Sequence, residues 1–180
     1  YLGTLKFILG IALTWKSDGT ELKLSVRRII EDIIKQLQIE TCRAVHTPME
    51  LKKEYAVNEM NKNLPDVPYL SLLGKLAWVS NVRYDIKFAV NFFQRFMNCY
   101  STDHYNGLIR IAKYLKTTIE IDLTFTKPSK IYKIKDKLDL EVYSDSDWAG
   151  DHHSRRSTTG GATYLCENSI SNTAPLQSVI

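Results

Sequence analysis

Tyr143-Ser144-Asp145-Ser146-Asp147-Trp148-Ala149-Gly150-Asp151, with Arg155-Arg156-Ser157-Thr158-Thr159-Gly160-Gly161 just beyond it, is the most informative stretch of the chain. Upstream, Leu138, Leu140 and Val142 alternate with Asp139, Glu141, Tyr143 and Asp145. That period of two predicts a half-buried strand whose polar face ends in Asp145. Asp147, Gly150 and Asp151 then mark a turn. Carboxylates this crowded repel one another, so the cluster is either a solvated edge or a site for a hard cation. An EF-hand is excluded, because counting from Asp145 puts Ala149 at a ligand position and Arg156 where the bidentate Glu belongs.

The remaining chain reads as an α+β protein. Residues 1–13 are rich in strand formers, Ser17-Asp18-Gly19-Thr20 is a turn, and Glu21–Val26 returns as a strand, which makes a hairpin. Ile29, Ile30, Ile33, Ile34 and Leu37 fall on one face of a helix over 27–39. Arg27 and Arg28 stand at its start, where the macrodipole disfavours cations. They are either a phosphate contact or a solvated pair. Residues 50–68 are polar and end in Pro65 and Pro68, a loop signal. Helices follow at about 69–80, 85–98 and 103–116, with Asp85 and Thr102 as N-caps. Ile86, Phe88, Ala89, Phe92, Phe93, Phe96 and Met97 should form core, and Leu108, Ile111, Ala112 and Leu115 give the last helix a matching face.

Ile119–Phe125 alternates as a strand. Lys127, Lys130, Lys133, Lys135 and Lys137 then surround Tyr132 and one acid, giving a local charge equal to the whole chain's +4. Such a stretch suits either a phosphate-tracking surface or a soluble linker, and marks the expected domain boundary. Strands at 138–145, 159–166 and 168–172 complete an antiparallel meander, with Gly160-Gly161 starting the second strand or bulging it. Three strands alone would leave an apolar face and an edge open.

Composition sets wide bounds. The 180 residues are 44% hydrophobic and 24% charged, ordinary for a globular chain, and the pI near 8.9 is compatible with nucleic-acid binding. Cys42, Cys99 and Cys166 are widely spaced, without a Cys-x-x-Cys zinc or redox pair, and read as reduced thiols of an intracellular protein. No apolar run reaches membrane-span length, so no membrane partner is expected. His152-His153 beside Asp151 lacks the further ligands zinc requires. His46 and His104 read as structural, and no P-loop pattern occurs.

The quoted motif resembles the start of the RNase H domain in Pol polyproteins of copia-type LTR retrotransposons. The resemblance extends back along the chain in order: Tyr1-Leu2-Gly3, Leu24-Ser25, Thr47-Pro48-Met49, Tyr69-Leu70-Ser71-Leu72-Leu73-Gly74, Arg83-Tyr84-Asp85-Ile86, Arg95-Phe96-Met97, His104 and Tyr114-Leu115-Lys116. It implies a reverse transcriptase C-terminal part over 1–126, with a primer-guiding hairpin and thumb and connection helices. A basic linker over 127–137 and a truncated RNase H-like domain over 138–180 would follow. It also implies that Asp145 is a catalytic Mg²⁺ ligand, one of several acids that hold a pair of metals for cleaving the RNA of an RNA–DNA hybrid. Lys127, Lys130, Lys133, Arg155 and Arg156 are the residues expected to contact nucleic acid. Expected partners are the hybrid and the rest of the Pol polyprotein. The family's other catalytic acids and its Tyr-Val-Asp-Asp motif are absent, so a chain inactive alone and without stably bound metal is expected. Tyr84 stands in place of a usual Pro, Asn172 in place of Trp, and Thr173-Ala174-Pro175-Leu176 in place of a Lys-rich stretch. These departures leave open a non-catalytic nucleic-acid-binding or protein-interaction module and an inert gene remnant.

Overall fold

The computed structural model describes residues 3–50, 53, 55, 64–130, 137–146 and 156–177. The chain is α+β and separates into two compact units. One comprises Leu9–Ile11 and Ser25–Asp122; the other comprises Tyr1–Ile8, Ala12–Leu24 and Leu123–Ile180. These units are not the segments divided at 127–137, because the strand after Asp122 joins the hairpin near the start of the chain.

The first unit is built on α1 (Arg27–Leu37), α2 (Tyr69–Val79), α3 (Lys87–Gln94) and α4 (Thr102–Thr117), with a single 3-10 turn at Tyr84–Ile86. In α1 the predicted face packs inward through Ile30, Ile33 and Ile34, while Ile29 and Leu37 are half-buried. Arg27 is held by Glu31 and Glu120, each at 2.9 Å, so two carboxylates offset its unfavourable place at the helix start. Spacing of i, i+3, i+4 and i+7 buries Tyr69, Leu72, Leu73 and Leu76 of α2. Tyr69 donates its hydroxyl to the Phe93 carbonyl at 2.8 Å and stacks on Tyr100, so its buried polar atom is satisfied.

Two expected caps differ. α4 is capped by Ser101, not Thr102: the Ser101 hydroxyl accepts from the His104 amide, and His104 Nδ1 accepts from the Ser101 amide at 2.9 Å. An imidazole thus takes the place of the usual Glu or Gln of a capping box. Asp85 caps nothing, because Arg83 claims its carboxylate through Nε at 3.0 Å and an Nη at 2.6 Å. The same guanidinium donates to the Thr118 carbonyl at 2.9 Å and hydroxyl at 2.6 Å, and Tyr114 donates to Asp85 at 2.7 Å.

The broad aromatic face of α3 is only partly core. Ile86, Ala89, Phe93 and Phe96 are buried, as is Val90, but Phe88 and Met97 are 48% and 44% exposed. Helical periodicity placed the stripe too wide: the helix stops at Gln94, and the chain then turns through irregular structure. On α4, Leu108, Ile111, Ala112 and Leu115 are all inaccessible, as expected. Gly107 lets α3 approach, since a Cβ there would lie 2.2 Å from the Phe93 ring.

The second unit holds both sheets. β1 (Phe7–Ile8), β2 (Ile11–Trp15), β3 (Glu21–Ser25) and β4 (Leu123–Thr126) lie in that order. The initial strand-forming stretch is broken by a turn at Leu9-Gly10, where both residues have positive φ, the twist that tight hairpins favour. The Ser17–Thr20 turn is closed by Asp18, which accepts from the Thr20 amide and hydroxyl. β3 and β4 are antiparallel with Leu22 opposite Phe125. β5 (Leu140–Ser146), β6 (Thr159–Leu165) and β7 (Asn168–Thr173) form the expected antiparallel meander. Gly160-Gly161 open β6, and its irregularity falls instead at Thr163/Tyr164.

Gly107→Ala should lower stability by about 1–3 kcal/mol, the range for overpacking, read as a lower urea midpoint with unchanged slope. Partial burial alone would raise the Asp85 carboxyl. The hydrogen bonds from Arg83 and Tyr114 and the Arg83 charge outweigh it and hold the group below its ordinary value. A lowered carboxyl contributes stability above the unfolded-state value, which is lost as pH falls through the folded-state value. Asp85→Asn should therefore flatten the stability profile below about pH 4. Because it leaves Arg83 buried without its counter-charge, it should also cost about 3–5 kcal/mol at neutral pH.

Candidate nucleic-acid and metal site

Asp145 lies near the end of β5, directly opposite Gly160, and is exposed. Residues two apart share a strand face, so Glu141, Tyr143 and Asp145 lie together with Tyr164, Ala162 and Gly160 across the ladder. Tyr143 donates to Glu141 at 2.8 Å and meets Tyr164 edge to face at 5.8 Å. The Glu141 hydrogen bond, with that carboxylate's charge, pushes the Tyr143 phenol above its ordinary value. Glu141, Tyr143, Ala162, Tyr164 and Glu167 line a shallow cavity of about 450 Å³. Glycine at 160 leaves the space opposite Asp145 open without supplying a ligand. Among the described residues, no three His, Cys, Asp or Glu side chains converge as a cation would require. The residues described around Asp145 therefore do not fit a metal pair by themselves.

The basic candidates divide. Lys127 is exposed just after β4, where its amide donates to the Thr20 carbonyl at 2.8 Å. Lys130 is exposed and forms an ion pair with Asp139 at 3.5 Å. Arg156 is exposed before β6. Lys133 and Arg155 lie outside the described residues, as do Asp147, Asp151, His152 and His153. The 127–130 segment and the β5 approach are thus joined by Lys130 and Asp139, while Asp145 is not brought against any of these cations among the described contacts.

Asn168 is the positioning residue that sequence reading missed. Its Oδ1 accepts from the Thr126 amide at 2.7 Å, and its Nδ2 donates to the Thr126 carbonyl at 2.9 Å. One side-chain amide thus satisfies both backbone groups of a β4 residue, as a neighbouring strand would. Ser129 adds a bond to Glu167 at 2.5 Å. The only sequence signal was an Asn at a turn. The Thr173–Leu176 departure also has partners: Leu176 bridges Thr158, and Thr159 donates to the Pro175 carbonyl at 3.0 Å.

The half-buried face expected from the alternation of β5 is instead exposed, the open apolar face that three strands alone are expected to leave. Leu138, Leu140 and Val142 are 54%, 60% and 66% exposed. Their alternation is that of a covered strand, but none of the described segments covers them. Leu140→Thr with Val142→Thr should shift stability by no more than about 0.5 kcal/mol, the usual surface range, while reducing light scattering of concentrated protein. A large drop in melting temperature would show that these side chains are packed in solution.

No family model matches the sequence, and no solved structure matches it. Several curated proteins do. The chain is 33% identical over 168 residues to the retrovirus-related Pol polyprotein from transposon RE2 of Arabidopsis thaliana, covering 93% of this chain and 11% of that protein. It is 28% identical over 186 residues to the corresponding polyprotein from transposon TNT 1-94 of Nicotiana tabacum, covering 99% and 13%. An uncharacterized mitochondrial protein of Arabidopsis thaliana is 32% identical over 179 residues, covering 99% of this chain and 70% of that protein. The chain thus spans about a tenth of the length of the transposon polyproteins it matches. Identity of about a third over nearly the whole chain places it in the family of retrovirus-related Pol polyproteins of copia-type transposons, as a part of one.

Proposed function

We propose that this chain corresponds to the region where a retrotransposon reverse transcriptase passes into its RNase H domain, and that it handles an RNA–DNA hybrid without cleaving it alone. The observation that carries this reading is the place of Asp145, at the end of the first strand of an antiparallel β5-β6-β7 meander, in a chain collinear with Pol polyproteins. In the whole polyprotein, Asp145 would be one oxygen ligand of a Mg²⁺ pair. Such metals would supply an activated water and stabilisation of the leaving oxygen, with the further ligands coming from outside the described residues. Within this chain the carboxylate stands in an open position facing a glycine, able to approach a cation or a phosphate held by other residues. Lys127 and Arg156 supply exposed positive charge in the same unit, with Lys130, Lys133 and Arg155 as further contacts. The partner polypeptide is the rest of Pol, and the setting is intracellular.

Incubated with a labelled hybrid and Mg²⁺, the chain should show no cleavage above background. Cleavage that disappears in Asp145→Asn would overturn the inactive reading. Binding is the second readout. Lys127→Gln and Arg156→Gln should each weaken hybrid binding and lower the slope of log affinity against log salt by about one. Salt-dependent binding without cleavage is the expected outcome. Absence of binding at low salt would favour an inert remnant.

A further inference from the structure

A second cluster of cations lies wholly within the helical unit, where neither the acidic strand nor the basic segment contributes. Val45, Glu50, Lys53, Tyr55, Asn106, Gly107, Arg110 and Lys113 surround a cavity of about 200 Å³. Asn106, Arg110 and Lys113 are spaced i, i+4 and i+7, so α4 presents them along one face. Arg110 is anchored on two sides, donating to Glu50 at 3.0 Å and to the Thr47 hydroxyl at 3.0 Å. Its buried Nε has no acceptor among the described residues. Lys113 and Lys53 form no ion pair with any described carboxylate, and Lys53 sits 5.1 Å from the centre of the Tyr55 ring. Three cations against Glu50 leave the lining with an excess of two positive charges.

We propose that this pocket binds a phosphate group. Its donors are the Lys113 and Lys53 ammonium groups and the Asn106 amide, with the Arg110 guanidinium, held by Glu50 and Thr47, as fixed positive charge. The chemistry favours phosphate over a neutral ligand. Two ammonium groups and a side-chain amide line the cavity beside a guanidinium held by Glu50 and Thr47, with little apolar lining beyond Val45 and Tyr55. The excess of charge favours an anion over a cation. The phosphate can come from a nucleic-acid backbone, which rests on the function proposed above, or from free phosphate, which does not.

Lys113→Gln and Lys53→Gln test this, because neither removes a contact that holds Arg110 in place. Inorganic phosphate and an RNA–DNA hybrid are the two probes. With inorganic phosphate, the wild type should show a saturable rise in melting temperature that Lys113→Gln with Lys53→Gln abolishes. With the hybrid, Lys113→Gln should lower the salt slope by about one, as one phosphate contact is lost. A phosphate response without hybrid binding keeps the pocket and overturns the hybrid-handling function. Hybrid binding that Lys127→Gln weakens, but neither pocket variant alters, overturns the pocket when the phosphate response is also absent. Circular dichroism of the variants, expected to match the wild type, excludes misfolding as the cause of any loss.

Discussion

Arg83 is among the largest fully buried side chains in the protein, and the helical unit depends on how its charge is met. A guanidinium 1% exposed has left water almost completely, a step that costs several kcal/mol unless every donor finds a partner. Here the fork meets the Asp85 carboxylate on one edge and the end of α4 at Thr118 on the other. Tyr114 closes the circuit by donating to Asp85, and its ring lies 5.8 Å from the guanidinium carbon. The turn after α2 and the last turn of α4 are thus fastened through one side chain. Apolar packing alone would allow α2 and α4 to slide; a fork with fixed donor directions does not.

Around that fastening, the helical unit is governed by volume. Phe93 occupies the space opened by Gly107, the Phe96 and His104 ring centres are 4.1 Å apart, and Tyr55 stacks on the same imidazole at 5.3 Å. His104 therefore has two roles: it closes the Ser101 capping box and it is a core aromatic. Interiors this dense transmit small changes, which is why a single methyl at 107 is costly.

The sheet-bearing unit follows a different logic. Residues 140–145 of β5 are exposed and β6 is half-buried throughout, so the described contacts rest on backbone ladders and on side-chain amides such as Asn168 rather than on a filled core. Hydrogen-bonded sheets with little apolar cover belong to the low-stability end of a protein, where binding surfaces are commonly drawn from. The candidate residues Lys127, Lys130, Asp145 and Arg156 all lie there, while the phosphate pocket is set into the denser helical unit.

Much was legible from local pattern. The α1 and α4 faces, the Asp18 turn, the order of strands in the meander and the motif around Asp145 all follow from periodicity, turn chemistry and motif order, which are properties of neighbouring residues. Where reading failed, the deciding partner was distant. Asp85 looks like a cap until Arg83 takes its carboxylate. Met97 looks like core until α3 ends at Gln94, and Phe88 looks like core although it lies exposed in the first turn of α3. Leu140 and Val142 look covered, although alternation records which side a residue faces and not whether anything lies against it. The pairing of β3 with β4, across about a hundred residues, and the convergence of Lys53 with Arg110 and Lys113 had no local signature. Sequence by itself determined the elements, their order and the family, because those depend on short-range spacing and on inherited residue order. Tertiary structure alone decided which charges are buried and paired and which cations share a pocket, because electrostatic and packing energies depend on distance in space.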